Sequence, residues 1–279
     1  MLHIITDSTS DITQAQAERE DLIVVPLHNL FGVEEYLDGV TISTEEFYQR
    51  LATTEELPTS SQPSPEEFLT HFNRCKEEGS SAVVITLSSK LSGTYQSASI
   101  AKDMCEYDEI YLVDSLTATL GLNCLVQYAK TLRERGLSAK QIAEELENKK
   151  QKVRIFALVD TLKYLKKGGR LSASAALAGT LLNIKPIIEV KDGIVEVAAK
   201  SRGIQGAYKK MTELVEEANG IDMEFPYVIG YTGDINLTQN FDIYIKENLK
   251  KQDITKIAIG STIGVHVGPG ACGIGFFSK

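Results

Sequence analysis

The sequence has no paired cysteines, no basic stripe, no long apolar run and no nucleotide-binding motif. Its four cysteines stand alone at 75, 105, 124 and 272, without CxxC spacing. That excludes the usual zinc sites and a disulfide framework, and reduced thiols fit a cytoplasmic protein. Acidic residues outnumber basic ones, 38 to 29, for a formal charge of −9. With no basic stripe interleaved with aromatics, no nucleic-acid partner is expected. No apolar run approaches the ~18 residues that span a bilayer. The start, MLHIITDSTSD, lacks a basic segment and turns polar after Ile5, unlike a signal peptide. Any membrane contact would therefore be transient and at the surface. No GxxxxGK[ST] occurs, so no P-loop holds ATP. Gly268, Gly270 and Gly273 have GxGxxG spacing, but the sequence ends before the acid that motif needs ~20 residues on. Ser99 to Lys102 reads SxxK without the SDN or KTG that would make it a serine acylase. Gly260-Ser261 puts serine one place too early for a GxSxG elbow.

What is there is organised around Ala82 to Met104, AVVITLSSKLSGTYQSASIAKDM. A β-branched apolar run is followed by Ser88, Ser89, Ser92, Gly93 and Thr94, then by small and apolar residues at helical spacing. This reads as strand, loop and helix start. A helix start offers unpaired N–H groups and the positive end of the macrodipole. Ser92 and Thr94 add hydroxyls, Gly93 allows close approach, and no acid lies between Ala82 and Ile100. The loop reads as an anion receiver, with an ordinary Ser/Thr cap as the plain alternative.

Around it the first half alternates strands and helices. Strands are expected at His3 to Thr6, Leu22 to Leu27, Glu109 to Val113 and Val153 to Leu158. Asp7 to Asp11 should cap a helix over Ile12 to Glu20, and Ser43 with Glu46 fits a capping box. Thr53 to Ser64 reads as a polar connection, and Ser64-Pro65-Glu66-Glu67 as a helix opening. His28 to Ser43 suggests turns or a hairpin. Alternation argues for a parallel α/β sheet whose ligands sit beyond the strands' carboxyl ends, where Asp7-Ser8, Ser88 to Thr94 and Asp114-Ser115 fall. In the second half, Ser172 to Leu182 reads as an alanine-rich helix and Lys191-Asp192-Gly193 as a hairpin turn. A helix is expected over Leu237 to Leu249, and the glycine-dense C-terminal stretch ends in an inserted strand. The expected architecture is therefore α/β with two domains. Residues 1–157 form an N-terminal parallel α/β domain, 158–279 a C-terminal α+β domain with a mixed or antiparallel sheet, and the ligand lies between them.

Of the four histidines, His3 is expected in a strand, His28 in a loop and His71 on a helix, none at metal-ligand spacing. His266, between Val265 and Val267 and before Gly-Pro-Gly, is expected to end a buried strand. There it either donates to a bound anion or is satisfied within the core. Lys163, Lys166, Lys167 and Arg170 form a cationic cluster in an acidic chain. It suits a solvated helix end, a phosphate or an acidic partner. Arg202 could join it.

Five motifs in order resemble the DegV family: Ser60-Ser61-Gln62-Pro63-Ser64, Leu91 to Ala98, Val113-Asp114-Ser115, Gly168 to Ser172, and His266-Val267-Gly268-Pro269-Gly270. The resemblance runs from Ile4 to Phe277. It implies a bacterial lipid-binding protein that holds one long-chain fatty acid between two α/β domains and needs no cofactor. It further implies a partner, the catalytic subunit of a fatty acid kinase, which brings ATP and phosphorylates the carboxylate. By motif match the carboxylate would meet Ser60, Ser92 and His266, with Gly93 and Thr94 nearby. Arg170, and less directly Arg202, would contact phosphate or the kinase. Ser60 stands where the family commonly has threonine, which keeps the hydroxyl and loses a methyl. A self-sufficient acyl or phosphoryl transferase using Ser92 or His266, and a lipid-sensing regulatory module, are the competing readings.

Overall fold

The computed structural model describes residues 1–279 except 173–183, 241, 244–246 and 248–253. The elements of the first half are β1 (Leu2–Asp7), α1 (Gln14–Glu20), β2 (Leu22–Val25), β3 (His28–Phe31), β4 (Glu34–Leu37), α2 (Thr44–Thr53), β5 (Thr59–Ser61), α3 (Pro65–Glu78), β6 (Ser81–Thr86), α4 (Thr94–Cys105), β7 (Ile110–Asp114), α5 (Thr119–Glu134) and α6 (Ala139–Lys149). Then come β8 (Val153–Leu158), α7 (Lys163–Lys167), β9 (Ile184–Lys191), β10 (Ile194–Arg202), α8 (Gly203–Glu217), β11 (Val228–Tyr231), β12 (Lys256–Ala258), α9 (Ser261–Val267) and β13 (Cys272–Phe277).

Local chemistry explains most of these boundaries. Ser64 caps α3 in a capping box with Glu67, Pro65 opens it, and Gly79 ends it at φ 63°. Its Phe68, Phe72 and Cys75 recur at helical spacing and are buried. Asp192 and Gly193, at φ 48° and 84°, make the turn between β9 and β10 with both central residues left-handed.

Strands β2-β1-β6-β7 form a parallel sheet. Both faces are covered, as continuous apolar strands require. Ile5, Val84 and Ile110 pack with α3 and α4, while Ile4, Val83 and Val113 pack with α5 and α6. The second sheet runs β10-β9-β8-β13-β11-β12 and is mixed: among its described strand pairs, β11 and β12 are parallel and the rest antiparallel. The C-terminal strand β13 is inserted between β8 and β11, as the apolar ending suggested. Helix α8 covers one face of this sheet through Ala207, Met211 and Val215. Helix α5 lies against both sheets. Its buried face is broad, with Leu120, Leu122, Leu125, Val126 and Ala129 all buried, while Gln127 and Lys130 face Glu20 at the rim. Its approach to β13 is close enough that a Cβ at Gly275 would come within 2.8 Å of the Leu120 carbonyl oxygen.

The expected α/β architecture, one parallel and one mixed sheet, is the observed one. Several local expectations differ. The connection from Thr53 to Ser64 contains β5, which joins β3 and β4 in a third, antiparallel sheet. His28 opens β3 rather than lying in a loop. Thr13, not the Asp7–Asp11 segment, caps α1, and Ser8–Ser10 makes a separate 3-10 turn whose cap is Asp7. His266 lies on α9, not on a strand, because Asp38 accepts from the Ser261 and Thr262 amides and so caps a helical turn there. The division drawn after residue 157 falls inside β8, whose partners β13 and β9 both belong to the mixed sheet. The alanine-rich helix lies outside the described residues beyond Ser172. Of the helix expected over Leu237 to Leu249, Leu237 and Thr238 lie in a 3-10 turn (Ile235–Thr238), Gln239, Asn240, Asp242, Ile243 and Glu247 are helical, and the other six residues lie outside the described ones.

Candidate functional site

Between the two sheets is a cavity of about 300 Å³, at the small end of the range for ligand pockets. Its wall is assembled from both halves of the chain. Leu87, Ala118 and Leu120 come from the parallel side, Ile155, Ile188 and Val195 from the mixed sheet, and Ala271 from the position just ahead of β13. Thr9, Thr119 and Thr262 also line it, yet their hydroxyls are engaged elsewhere. Thr9 donates to Asp7 Oδ1 at 2.5 Å, Thr119 to Asp11 Oδ2, and Thr262 to Asn29 Oδ1 at 3.2 Å. With each hydroxyl bound to a buried acceptor, these residues offer the cavity mainly their carbon atoms.

The acceptors behind the threonines are shielded from water. Burial pushes the Asp7 carboxyl up to about 6, against hydrogen bonds from Thr9 and the Leu87 amide. Burial likewise pushes Asp11 up to about 8, with the Asp38 and Asp7 charges adding to it. In the sequence Asp7 falls at the ligand edge of the parallel sheet and reads as a cap. It is one, but its second oxygen also accepts from Leu87 N at 2.8 Å, across the sheet.

One end of the cavity is polar, lined by Ser60, Ser61, Gln62, Ser92, Arg170 and His266. Ser60 and His266, 206 residues apart in sequence, meet at Oγ···Nε2 2.8 Å. Strand β5 carries the first and the last turn of α9 the second. His266 Nδ1 is buried and has no hydrogen-bond partner among the described residues. It faces Gly168, where even a Cβ would lie 2.3 Å away. A bare nitrogen tolerates such a position better than an N–H, since a buried unpaired donor is the costlier loss. We therefore place the proton on Nε2, so that His266 donates to Ser60 and the Ser60 hydroxyl proton is free for another acceptor. Burial, and then the charge of Arg170, pull the His266 pKa down to about 4, which keeps the ring neutral.

Ser92 lies on the same polar end, its hydroxyl 2.9 Å from Thr94 Oγ1. Gly93 and Thr94 sit behind it, at the start of α4, and are not part of the cavity wall. Gly93 lets Gln62 approach, since a Cβ there would fall 2.2 Å from the amide oxygen. Arg170 donates from Nε to Leu91 O at 3.2 Å and from Nη1 to Gly168 O at 2.6 Å. These bonds fix the guanidinium at the cavity's end. A smaller hollow of about 170 Å³ shares Ser60, Arg170 and His266 with the cavity and adds Tyr164 and Lys167. Arg202 is elsewhere: it ends β10, is exposed and lines neither space. Thus Ser60, Ser92, Arg170 and His266 are brought together, Gly93 and Thr94 back them, and Arg202 stands apart.

The DegV family model, described as "Uncharacterised protein, DegV family", matches residues 1–279. The chain belongs to the DegV family. A DegV domain-containing protein of Clostridium perfringens is 34% identical over 277 residues, covering 98% of this chain and 97% of that protein. Among solved structures, a fatty-acid-binding DegV family protein from Thermus thermophilus superimposes with a TM-score of 0.90 at 32% identity, covering 100% of this chain and 99% of that one. A stearic acid-binding protein from Eubacterium ventriosum does so with a TM-score of 0.90 at 30% identity and the same coverage. Among the described residues of this DegV chain, no helix is long and apolar enough to cross a membrane, and no cluster of His, Cys, Asp and Glu has metal-binding geometry.

Proposed function

We propose that this protein holds one long-chain fatty acid, tail in the cavity and carboxylate at the polar end, and presents it to a separate ATP-dependent kinase subunit. The observation that carries this reading is an apolar cavity between the sheets that ends in the Ser60–His266 pair, with Ser92 and Arg170 beside it. A fatty acid is ionised near neutral pH, and burying its charge is costly unless donors converge on it. In this reading the Ser60 hydroxyl, held by His266 Nε2–H, donates to one carboxylate oxygen, and the Ser92 hydroxyl donates to the carboxylate as well. At ~0.8 kcal/mol per buried methylene, a ~16-carbon tail contributes on the order of 10 kcal/mol before association costs. The tail then dominates affinity and the head-group donors set orientation.

Neutral donors leave the carboxylate oxygens nucleophilic. One attacks the γ-phosphorus of ATP on the partner, the P–O bond to ADP breaks, and an acyl phosphate remains. Arg170 would meet the new phosphate, and exposed Arg202 would meet the partner. Catalysis by this chain alone is disfavoured because no acid orients His266 through Nδ1 among the described residues. Residence in the cytoplasm and a place in phospholipid metabolism belong to the same proposal.

The first test is mass spectrometry of an organic extract from freshly purified protein, where a fatty acid at one equivalent is expected. The second adds a purified fatty acid kinase catalytic subunit and ATP, which should yield acyl phosphate. Lipid without acyl phosphate would favour a lipid-sensing module. In the same assay Arg170→Ala should bind fatty acid as wild type does but transfer phosphate at least about tenfold more slowly, the loss of one charge-assisted contact.

A further inference from the structure

Helix α9 is only seven residues long, and it is held at both ends by one small sheet. At its start, Asp38 Oδ1 accepts from Ser261 N at 3.0 Å and from the Ser261 hydroxyl, and Oδ2 accepts from Thr262 N at 3.3 Å. Asn29 Nδ2 donates to Ser261 Oγ at 2.8 Å, while Asn29 Oδ1 accepts from Thr262 Oγ1 at 3.2 Å. All four residues are at least 96% buried. Asp11 Oδ1 accepts from Gly260 N at 2.8 Å, just ahead of the helix. At its end, His266 meets Ser60. In the β3–β5 register, Asn29 lies directly opposite Ser60. The strand that carries the serine is therefore paired with the strand whose asparagine grips the first turn of the histidine's helix.

We propose that Asn29 and Asp38 are positioning residues for the carboxylate-binding pair: through Ser261 and Thr262 they fix where α9 sits along its axis, and so where the His266 imidazole meets Ser60. This rests on the fatty acid reading above. A rigid hydrophobic contact alone would leave α9 free to slide. Its middle rests on Phe47 and Tyr48 through Gly264, and the Tyr48 hydroxyl donates at 3.1 Å to Ile259 O, ahead of the helix rather than within it. The bonds at its first turn supply the direction. A shift of about one ångström at α9 would break a 2.8 Å hydrogen bond little more than one turn away.

The test compares binding of hexadecanoic acid and hexadecanol, and records the carboxyl 13C signal of bound [1-13C]hexadecanoic acid at one fixed pH. The variants are Asp38→Asn, Asn29→Ala and Ser261→Ala, with Ser60→Ala as reference. Phe72→Leu, in the α3 core away from the cavity, serves as a control of matched melting temperature. The variants should lose about tenfold or more in preference for the acid over the alcohol, the worth of a hydrogen bond to a charged group. Hexadecanol affinity should stay within about twofold, since the tail contacts are untouched. The 13C signal should move toward its position in Ser60→Ala. An unchanged preference and signal in any folded variant of the three would overturn the proposal, as would an equal change in Phe72→Leu. Ser261→Ala removes a single hydroxyl and keeps the test open should Asp38→Asn fail to fold. A wild-type protein with no preference for the acid would instead sink the fatty acid reading itself.

Discussion

His266 and Asp11 pull the stability of the empty protein in opposite directions as pH changes. Folding lowers the His266 pKa from 6.5 to about 4, so the unfolded chain binds the extra proton between those values. Acid therefore destabilises the fold as pH drops from 6.5 through 4, by up to about 3 kcal/mol from this ring. His266→Gln should flatten that part of a melting-temperature profile. Asp11 behaves oppositely, its pKa rising from 3.8 to about 8 on folding. Here the folded protein holds the extra proton, and stability falls as pH climbs through that window. Asp11→Asn mimics the protonated acid, since its amide oxygen can accept from Gly260 N and its nitrogen can donate to Thr119. It should melt higher than wild type at pH 8 and lose that advantage near pH 4. A melting series across pH for the three proteins checks both signs. Neither shift was legible from residue order. The sequence marks His266 as flanked by valines, but burial and the Arg170 charge exist only once residues 170 and 266 have met.

At the level of elements, α7 and α9 pack through two glycines, each under the other helix's side chain. A Cβ at Gly168 would strike His266 Nδ1 at 2.3 Å, and one at Gly268, at φ 73°, would strike the Tyr164 ring at 2.4 Å. Gly168→Ala should therefore push the imidazole off Ser60. The expected outcome is fatty acid affinity about tenfold weaker, as for a lost head-group hydrogen bond, with stability down by about 1–3 kcal/mol. Isothermal titration and urea unfolding measure the two. Here the sequence was partly informative. The motifs around Gly168 and His266 were visible, and so were the caps of α3 and the turn at Asp192-Gly193, because those depend on neighbours in the chain. Strand β5 was missed, since three residues reading Thr-Ser-Ser carry no apolar alternation and are a strand only because β3 lies beside them. The helical state of His266 was missed for a related reason: the signal that starts α9 is Asp38, 223 residues away in sequence from Ser261.

At the scale of the whole molecule, the cavity wall belongs to both sheets, and α5 is packed between them. Ligand that binds only the assembled cavity stabilises the entire fold by mass action. Stripping the lipid by organic extraction or exchange resin should lower the melting temperature, and adding back hexadecanoic acid at about 100 times its Kd should restore about 2.7 kcal/mol. Apo and loaded protein compared by calorimetry would show it, with unchanged melting counting against occupancy of this cavity. The layered α/β plan was legible because strand and helix periodicities are local. The sheet to which β8 belongs was not, because its register is set by β13, more than a hundred residues later.

The seating of α5 has a consequence for how a carrier of the proposed kind could diversify. The width of the cavity is governed by side chains locked in the deepest packing of the protein, whereas Arg202 stands on its exterior. On the fatty acid reading, substitutions at the surface would retune which protein is met without altering the cargo. A change of cargo would pass through residues such as Leu120 that also hold the two sheets together.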